Sequence, residues 1–375
     1  MRIVLFYHSL ISDWNHGNAH FLRGVVAELL ERGHHVDVYE PEDGWSLQNL
    51  IRHYGKVPVD DFHRRFPLLH TNFYRLETLD LDKALENADL VIVHEWNDSE
   101  LIERAGKHCL KARYNLLFHD THHRAVTDSS RISKYPLDNF DGVLAFGEAI
   151  REIYIRSGWA RRVWTWHEAA DTRIFKPMAD VNRTDDLVWI GNWGDEERTA
   201  ELDEYIVEAV RTLGLKTRFY GVRYPAHALQ LLEHAGIAYM GWISNYRVPA
   251  VLARFRATVH IPRRPYVDAL PGIPTIRVFE ALACGIPLVC SPWNDTEGLF
   301  RPGRDFLLAR NPNEMMTYLK HLINDEDIAS ELAANGLATI KARHTCAHRV
   351  DELLDIVRTL RTGVAECKSL SLDLA

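Results

Sequence analysis

The chain alternates between short unbroken runs of apolar residues and longer stretches in which apolar positions recur every three or four residues. Runs of the first kind occupy 3–7, 90–93 and 142–146, with a further one over 115–118 behind Asn115, and Val36-Asp37-Val38-Tyr39 begins another strand with Asp37 within it. Apolar residues with no polar alternation read as strands covered on both faces, the mark of a parallel sheet. Helical periodicity fills the gaps: the stretch from Ala19 to Arg32 starts behind Gly17 and Asn18, a natural N-cap, and is stopped by Gly33. This much makes one doubly wound unit. The periodicity lapses over 159–177, through Thr165, His167, Asp171 and Pro177, and a new run over 186–190 ends on Gly191. Runs over 217–220, 238–240, 257–260 and 287–290 then repeat the alternation, and helical stretches over 312–324, 328–343 and 347–361 follow. The pattern predicts an α/β chain of two doubly wound units facing across a cleft, with ligands bound at the carboxyl ends of the strands. The predicted boundaries are 1–175, 176–345, and 346–375 for a C-terminal helix that packs back on the first domain and a frayed tail. The stretch 45–75 has His53, His63, His70 and no clean period, and is read as a partly helical insertion.

A length of 375 residues fits two domains of roughly 150. The net charge of −8 and the dispersal of basic residues argue against a nucleic-acid partner, whose binding needs clustered Lys and Arg. The first apolar run is too short for a signal peptide, and no run approaches the ~20 residues of a membrane span, so a cytoplasmic protein is expected. The five cysteines are odd in number and never spaced C-x-x-C, which indicates neither a disulfide framework nor a thiolate zinc site.

Candidate chemistry concentrates in 270–287. The order Leu270-Pro271-Gly272-Ile273-Pro274-Thr275-Ile276-Arg277-Val278-Phe279-Glu280 reads as a rigid turn and then a helix opening near Pro274 or Thr275, closed by Gly285 before the next strand. A helix start offers free N–H groups and a partial positive charge, a seat for a diphosphate. Glu280, on the second turn, is placed to accept hydrogen bonds from a ribose, or else is an ordinary solvated helix residue. Gly191 and Asn192 end a strand where a missing side chain lets backbone approach a ligand; tight packing alone would also demand glycine there. Gly17 holds the comparable turn in the first unit. Arg263 and Arg264 follow the strand ending near Ile261, and Arg198 and Arg223 are further cations for phosphate oxygens. The run His119-Asp120-Thr121-His122-His123 follows a strand and is read as sugar contacts and acid–base support, with a metal site or an ordinary polar loop as alternatives; His94 and Glu95 could join it, and Asp171 is weaker. No metal is expected, since adjacent His122 and His123 cannot point the same way on a regular element.

The stretch from Glu280 through Ala281-Leu282-Ala283-Cys284-Gly285-Ile286-Pro287-Leu288-Val289 resembles the C-terminal signature of GT-B glycosyltransferases related to family 4. The elements Phe118-His119-Asp120-Thr121-His122-His123-Arg124, Phe140-Asp141-Gly142-Val143-Leu144, His167-Glu168-Ala169-Ala170-Asp171, 191–199 and 343–349 resemble the CgeB-like (spore maturation protein) subgroup. The resemblance implies two Rossmann-like domains, an acceptor side in the first and a donor side in the second. It places Glu280 at the second acid of the family's E-x7-E motif, on the donor ribose. The first acid falls at Gly272, so backbone of Gly272, Ile273 and Pro274, with Thr275, is left to shape the sugar and phosphate pocket. The implied function is retaining, metal-independent transfer of a sugar from a nucleotide-diphosphate sugar, a UDP-sugar being favoured. No cofactor is implied, and the acceptor can be a glycan, lipid, protein or small molecule. An inverting transferase with His119 or Asp120 as base, a nucleotide-sugar epimerase and a non-catalytic nucleotide-sugar binding protein stay open, as does the oligomeric state.

Overall fold

The structure, a computed structural model, describes residues 1–179 and 181–372. The chain divides into two compact units, one of 1–12, 22–167 and 346–375, the other of 13–21 and 168–345. The junction therefore falls at His167/Glu168 rather than at 175, and the loop after the first strand counts with the second unit.

The first unit is built on strands β1 (Arg2–Phe6), β2 (His35–Pro41), β3 (Thr71–Tyr74), β4 (Leu90–His94), β5 (Asn115–Asp120), β6 (Gly142–Ala145) and β7 (Val163–Thr165). All pair parallel in the order β3-β2-β1-β4-β5-β6-β7. The order reverses between β1 and β4, so their carboxyl ends flank a crevice of the kind in which such sheets bind ligands. The central strands are apolar throughout because both faces are covered: Ile3, Val4, Leu5 and Phe6 are inaccessible to solvent, as are Leu22, Val25 and Leu29 on one face of helix Ala19–Glu31. The insertion over 45–75 consists of helices Trp45–Tyr54 and Val57–Arg65 and the edge strand β3. Helix Cys346–Leu372 also counts with this unit; residues 373–375, where the tail was expected to fray, lie outside those described.

The second unit repeats the plan with β8 (Asp185–Ile190), β9 (Thr217–Tyr220), β10 (Ala238–Tyr239), β11 (Phe255–His260), β12 (Leu288–Cys290) and β13 (Leu307–Leu308), parallel in the order β10-β9-β8-β11-β12-β13. Its reversal lies between β8 and β11, whose carboxyl ends carry Gly191-Asn192 and Arg263. Leu187, Trp189, Phe219 and Val259 of the sheet pack with Ile206, Met315 and Leu319 of the covering helices. Among the described residues no helix is long and apolar enough to cross a membrane.

One close approach fixes the β8 end of that crevice. A Cβ on Gly221 would lie 1.9 Å from the Gly191 carbonyl oxygen, so the two loop backbones touch where no side chain fits. Gly214, by contrast, ends a helix at φ +65°, and a Cβ added there would meet nothing within 4 Å. Gly214→Ala should therefore cost only backbone strain, about 1 kcal/mol, whereas Gly221→Ala should cost roughly 3 kcal/mol or more by forcing the loops apart. Urea unfolding midpoints of the two variants, compared with the parent, check the order.

Candidate functional site

Helix Ile276–Ala283 opens on Thr275 in extended conformation and packs its apolar residues so completely that Glu280 is only 1% exposed. Burial alone would push this carboxyl up, yet the Arg277 charge and the hydrogen bond from His20 outweigh it and hold Glu280 below the usual carboxylate range. Arg277, one turn earlier on the same helix, donates to Oε2, and His20 Nδ1 lies 3.0 Å from Oε1. The histidine tautomer follows from its other nitrogen: Nε2 accepts the Asp171 backbone N–H at 2.8 Å, so Nδ1 carries the proton and donates to Glu280. Phe175 stacks on the His20 ring at 3.8 Å and fixes its plane.

The helix start is less bare than the sequence suggests. Its first amide, Ile276 N–H, is taken by the side chain of Glu168. That carboxyl is buried, and desolvation followed by the Glu280 charge raises it to about 8, so near neutrality it holds a proton. Thr275 does not cap the helix; its hydroxyl is 2.9 Å from His260 Nε2. Burial, with the charges of Arg198 and Arg277 adding, lowers His260 to about 3 and keeps it neutral. Of the four residues assigned to the pocket wall, Gly272, Ile273 and Pro274 are buried and Thr275 is half-buried. Gly272 is required for steric reasons: at φ +87° it donates to Asn294 O at 2.6 Å, and a Cβ there would lie 2.7 to 2.9 Å from Thr296 Oγ1 and Glu297. Gly17 lies beside the same helix start, where a Cβ would come within 3.2 Å of Ile276 Cγ2.

At the β8 and β11 ends, Asn192 organises two guanidinium groups. Its Oδ1 accepts from Arg198 at 2.8 Å and from Arg263 at 3.1 Å, while its Nδ2 donates to Asn15 at 2.5 Å. Arg198 is buried and also donates to the carbonyls of Ile261 and Asn192. No carboxylate pairs with it among the described residues, and its Nε has no partner. Desolvation, with Arg263 and Arg277 adding, lowers Arg198 to about 9. Its contact with the Trp189 ring at 4.9 Å returns about 1–2 kcal/mol, against several kcal/mol for burying an unpaired charge.

Arg263 is partly neutralised by Glu197 at 2.7 Å. Two predicted cations are not brought into this group: Arg264 turns to the surface on Glu201 at 2.9 Å, and Arg223 pairs with Asp195 at 2.9 Å. Gly191 is glycine because a Cβ would meet the Trp189 ring at 2.8 Å, and its carbonyl approaches Gly221 backbone. Tight packing, the bland alternative, accounts for it.

In the first unit, His119 and Asp120 end β5 in the interior, 1% and 0% exposed. His119 lies edge-on to His94 and Trp166, and burial lowers it to about 3. Asp120 accepts from Tyr154 Oη at 2.8 Å and from His122 N–H at 3.1 Å, and burial raises it to about 6. Glu95 lies beside it, paired with Arg124 at 2.9 Å and raised to about 8 by burial and the Asp120 charge. His122 alone of the three predicted catalytic residues is half-buried. Its ring lies 4.0 Å from that of His123, so the two neighbours come together on this irregular loop against the expectation for a regular element. Among the described residues no group of three or more His, Cys, Asp or Glu side chains is arranged to hold a metal ion.

Residues 198–355 match the family model described as glycosyl transferase-like. No curated protein matches. Solved structures share the fold at low identity. Sucrose-phosphate synthase from Thermosynechococcus elongatus is 14% identical with a TM-score of 0.66, over 97% of this chain and 100% of that one. Anabaena HepE in complex with UDP and glucose is 13% identical with a TM-score of 0.65, over 96% and 100%. An α-glucosyltransferase in complex with UDP and a 13-mer DNA is 13% identical with a TM-score of 0.69, over 96% and 99%. The chain has the GT-B fold of these structures, and its residues 198–355 are similar to a glycosyl transferase-like family.

Some of the contacts that shape the second unit escape sequence reasoning. His20 sits 260 positions from the carboxylate it meets, and no local pattern announces that pairing. Arg277 is legible as an i,i+3 partner of Glu280. Glu168 falls within a motif noted above, but its hydrogen bond to a helix amide is a tertiary fact.

The raised Glu168 carboxyl has a definite sign for stability. Between about 4.5, its ordinary value, and about 8, the folded protein binds a proton that the unfolded chain has lost, so this group makes stability fall as pH rises and level off above 8. Glu168→Gln should remove that fall. The stability of the variant relative to the parent should rise between pH 5 and 8, by at most about 1.4 kcal/mol per pH unit. Urea midpoints across that range decide; parallel curves would sink the assignment.

Proposed function

We propose that this protein is a glycosyltransferase that transfers a sugar from a UDP-sugar with retention of configuration and without a metal. The donor binds in the second unit and the acceptor in the first. The observation that carries the donor assignment is Arg198: a buried guanidinium whose hydrogen-bond acceptors are all neutral leaves a charge that phosphate oxygens would answer. Arg263 and Arg277 lie near enough for their charges to lower Arg198 further, so three cations share two carboxylate partners, Glu197 and Glu280. A diphosphate supplies the missing negative charge. In this reading Arg277 leaves Glu280 for the phosphates, and the vacated carboxylate oxygen accepts the ribose hydroxyls while His20 keeps the other oxygen in place.

Proteins of the same fold lend support: Anabaena HepE was obtained with UDP-glucose, and an α-glucosyltransferase with UDP-glucose, a donor whose own linkage is α. Cations beside the diphosphate would stabilise it as a leaving group in either stereochemical course, and retention is the course the family resemblance implies. Burial of His119 and Asp120 counts against either as the base of an inverting transfer, and leaves His122 for acid–base support to the acceptor. The motifs around Phe118, His167 and Arg343 favour the CgeB-like subgroup.

Calorimetry with UDP and with uridine tests the donor assignment. Arg198→Ala should weaken UDP roughly 100-fold, about 2.7 kcal/mol, and leave uridine within a factor of two. Equal losses for both ligands would remove Arg198 from the phosphates. Glu280→Gln should instead weaken UDP and uridine alike, by roughly tenfold; unchanged uridine affinity would remove it from the ribose.

A further inference from the structure

The first unit contains a cleft of about 970 Å3 at the carboxyl ends of β1 to β4, the reversal point of its sheet. Its volume is at the top of the range for small-molecule pockets and leaves room for more than one sugar ring. The floor is rigid: Tyr74 Oη donates to Asn97 Oδ1 at 3.1 Å, and Asn97 Nδ2 donates to the carbonyls of Phe6 and His94 at 2.8 Å.

Two indoles face this space. Trp96 is clamped by the Arg124 guanidinium 3.5 Å from its ring centre and by His122 at 5.1 Å, which sets the half-buried histidine of the loop beside the cleft. Trp45 opens helix Trp45–Tyr54 and is 44% exposed, which leaves part of its indole open to a ligand in the cleft. Gly44 before it cannot easily be replaced, because a Cβ would lie 3.1 Å from Pro41 O.

The rim is acidic. Glu42, Asp43, Glu77 and Asp98 line it against Arg75 and Arg131, and Arg75 is already paired with Glu42 at 2.5 Å. Carboxylates only accept hydrogen bonds, so a ligand that meets them brings donors, sugar hydroxyls among them, and no negative charge. Flat aromatic faces suit the C–H faces of pyranose rings. Phosphate-rich and sulfated ligands are repelled by the same rim.

We propose that this cleft is the acceptor site and that it takes a neutral glycan, stacked on Trp45 and hydrogen-bonded through its hydroxyls to the rim carboxylates. The acceptor role rests on the transferase reading above; the glycan chemistry rests on the lining alone. Saturation-transfer NMR on the full chain, with cellotriose, maltotriose, N-acetylchitotriose and a single-stranded DNA 13-mer as probes, tests it. At least one trisaccharide should receive saturation and the DNA should not. Trp45→Ala should weaken the sugar at least tenfold, Trp45→Phe should restore most of the affinity, and neither should change UDP binding more than twofold. Absence of binding by all three sugars, binding unchanged in Trp45→Ala, or preference for DNA would each overturn the proposal. UDP binding to the parent is read in the same series, so a failed donor assignment shows as absent UDP binding whatever the sugars do.

Discussion

A full negative charge on Glu280, almost sealed from solvent, is the constraint around which the second unit is arranged. Leaving such a charge unanswered costs several kcal/mol, a large part of what holds a domain together. Arg277 answers it from the same helix, and His20 answers it from a segment far away in sequence. That second partner explains why 13–21 count with the second unit: the histidine is fixed on both nitrogens and stacked on Phe175, so the segment that carries it has one place to be. Asn15, earlier in the same segment, is tied in turn to Asn192.

Charge is unevenly settled within this unit. Glu280 holds a cation and a neutral donor at once, Arg198 has no partner of opposite sign among the described residues, and Glu168 avoids the problem by keeping a proton. An interior built for stability alone would pair these groups or replace them with hydrocarbon. The imbalance is stored where the strand order reverses, the position at which this fold takes its ligands.

Much of the architecture is legible in the sequence because parallel strands buried on both faces leave uninterrupted apolar runs. β1, β4, β5, β8 and β9 lie within a residue or two of where those runs place them. The strands that escape are short or marginal: β3 and β7 close the edges of the first sheet, and β13 has two residues. The rule that strand ends carry ligands points to Asn192 and Arg263, which the structure brings together with Arg198, but it cannot tell Arg263 from Arg264. Adjacent side chains diverge, and Glu201 claims the second one. Gly272 shows the reverse limit, since a missing acid is legible while the packing of Thr296 and Glu297 that forbids any side chain there is not.

The first unit is interrupted by most of the second and completed by helix Cys346–Leu372. Val350, Leu353, Val357 and Leu360 of that helix are buried, and the Trp166 indole donates to Arg349 O at 2.8 Å. On the ribosome, the sheet made first therefore lacks part of its own core until this helix has emerged, whereas the second unit has every segment it needs once Thr345 is out. Nascent chains would mature in reverse of the order in which their domains begin, and the earlier half would depend on chaperones for longer.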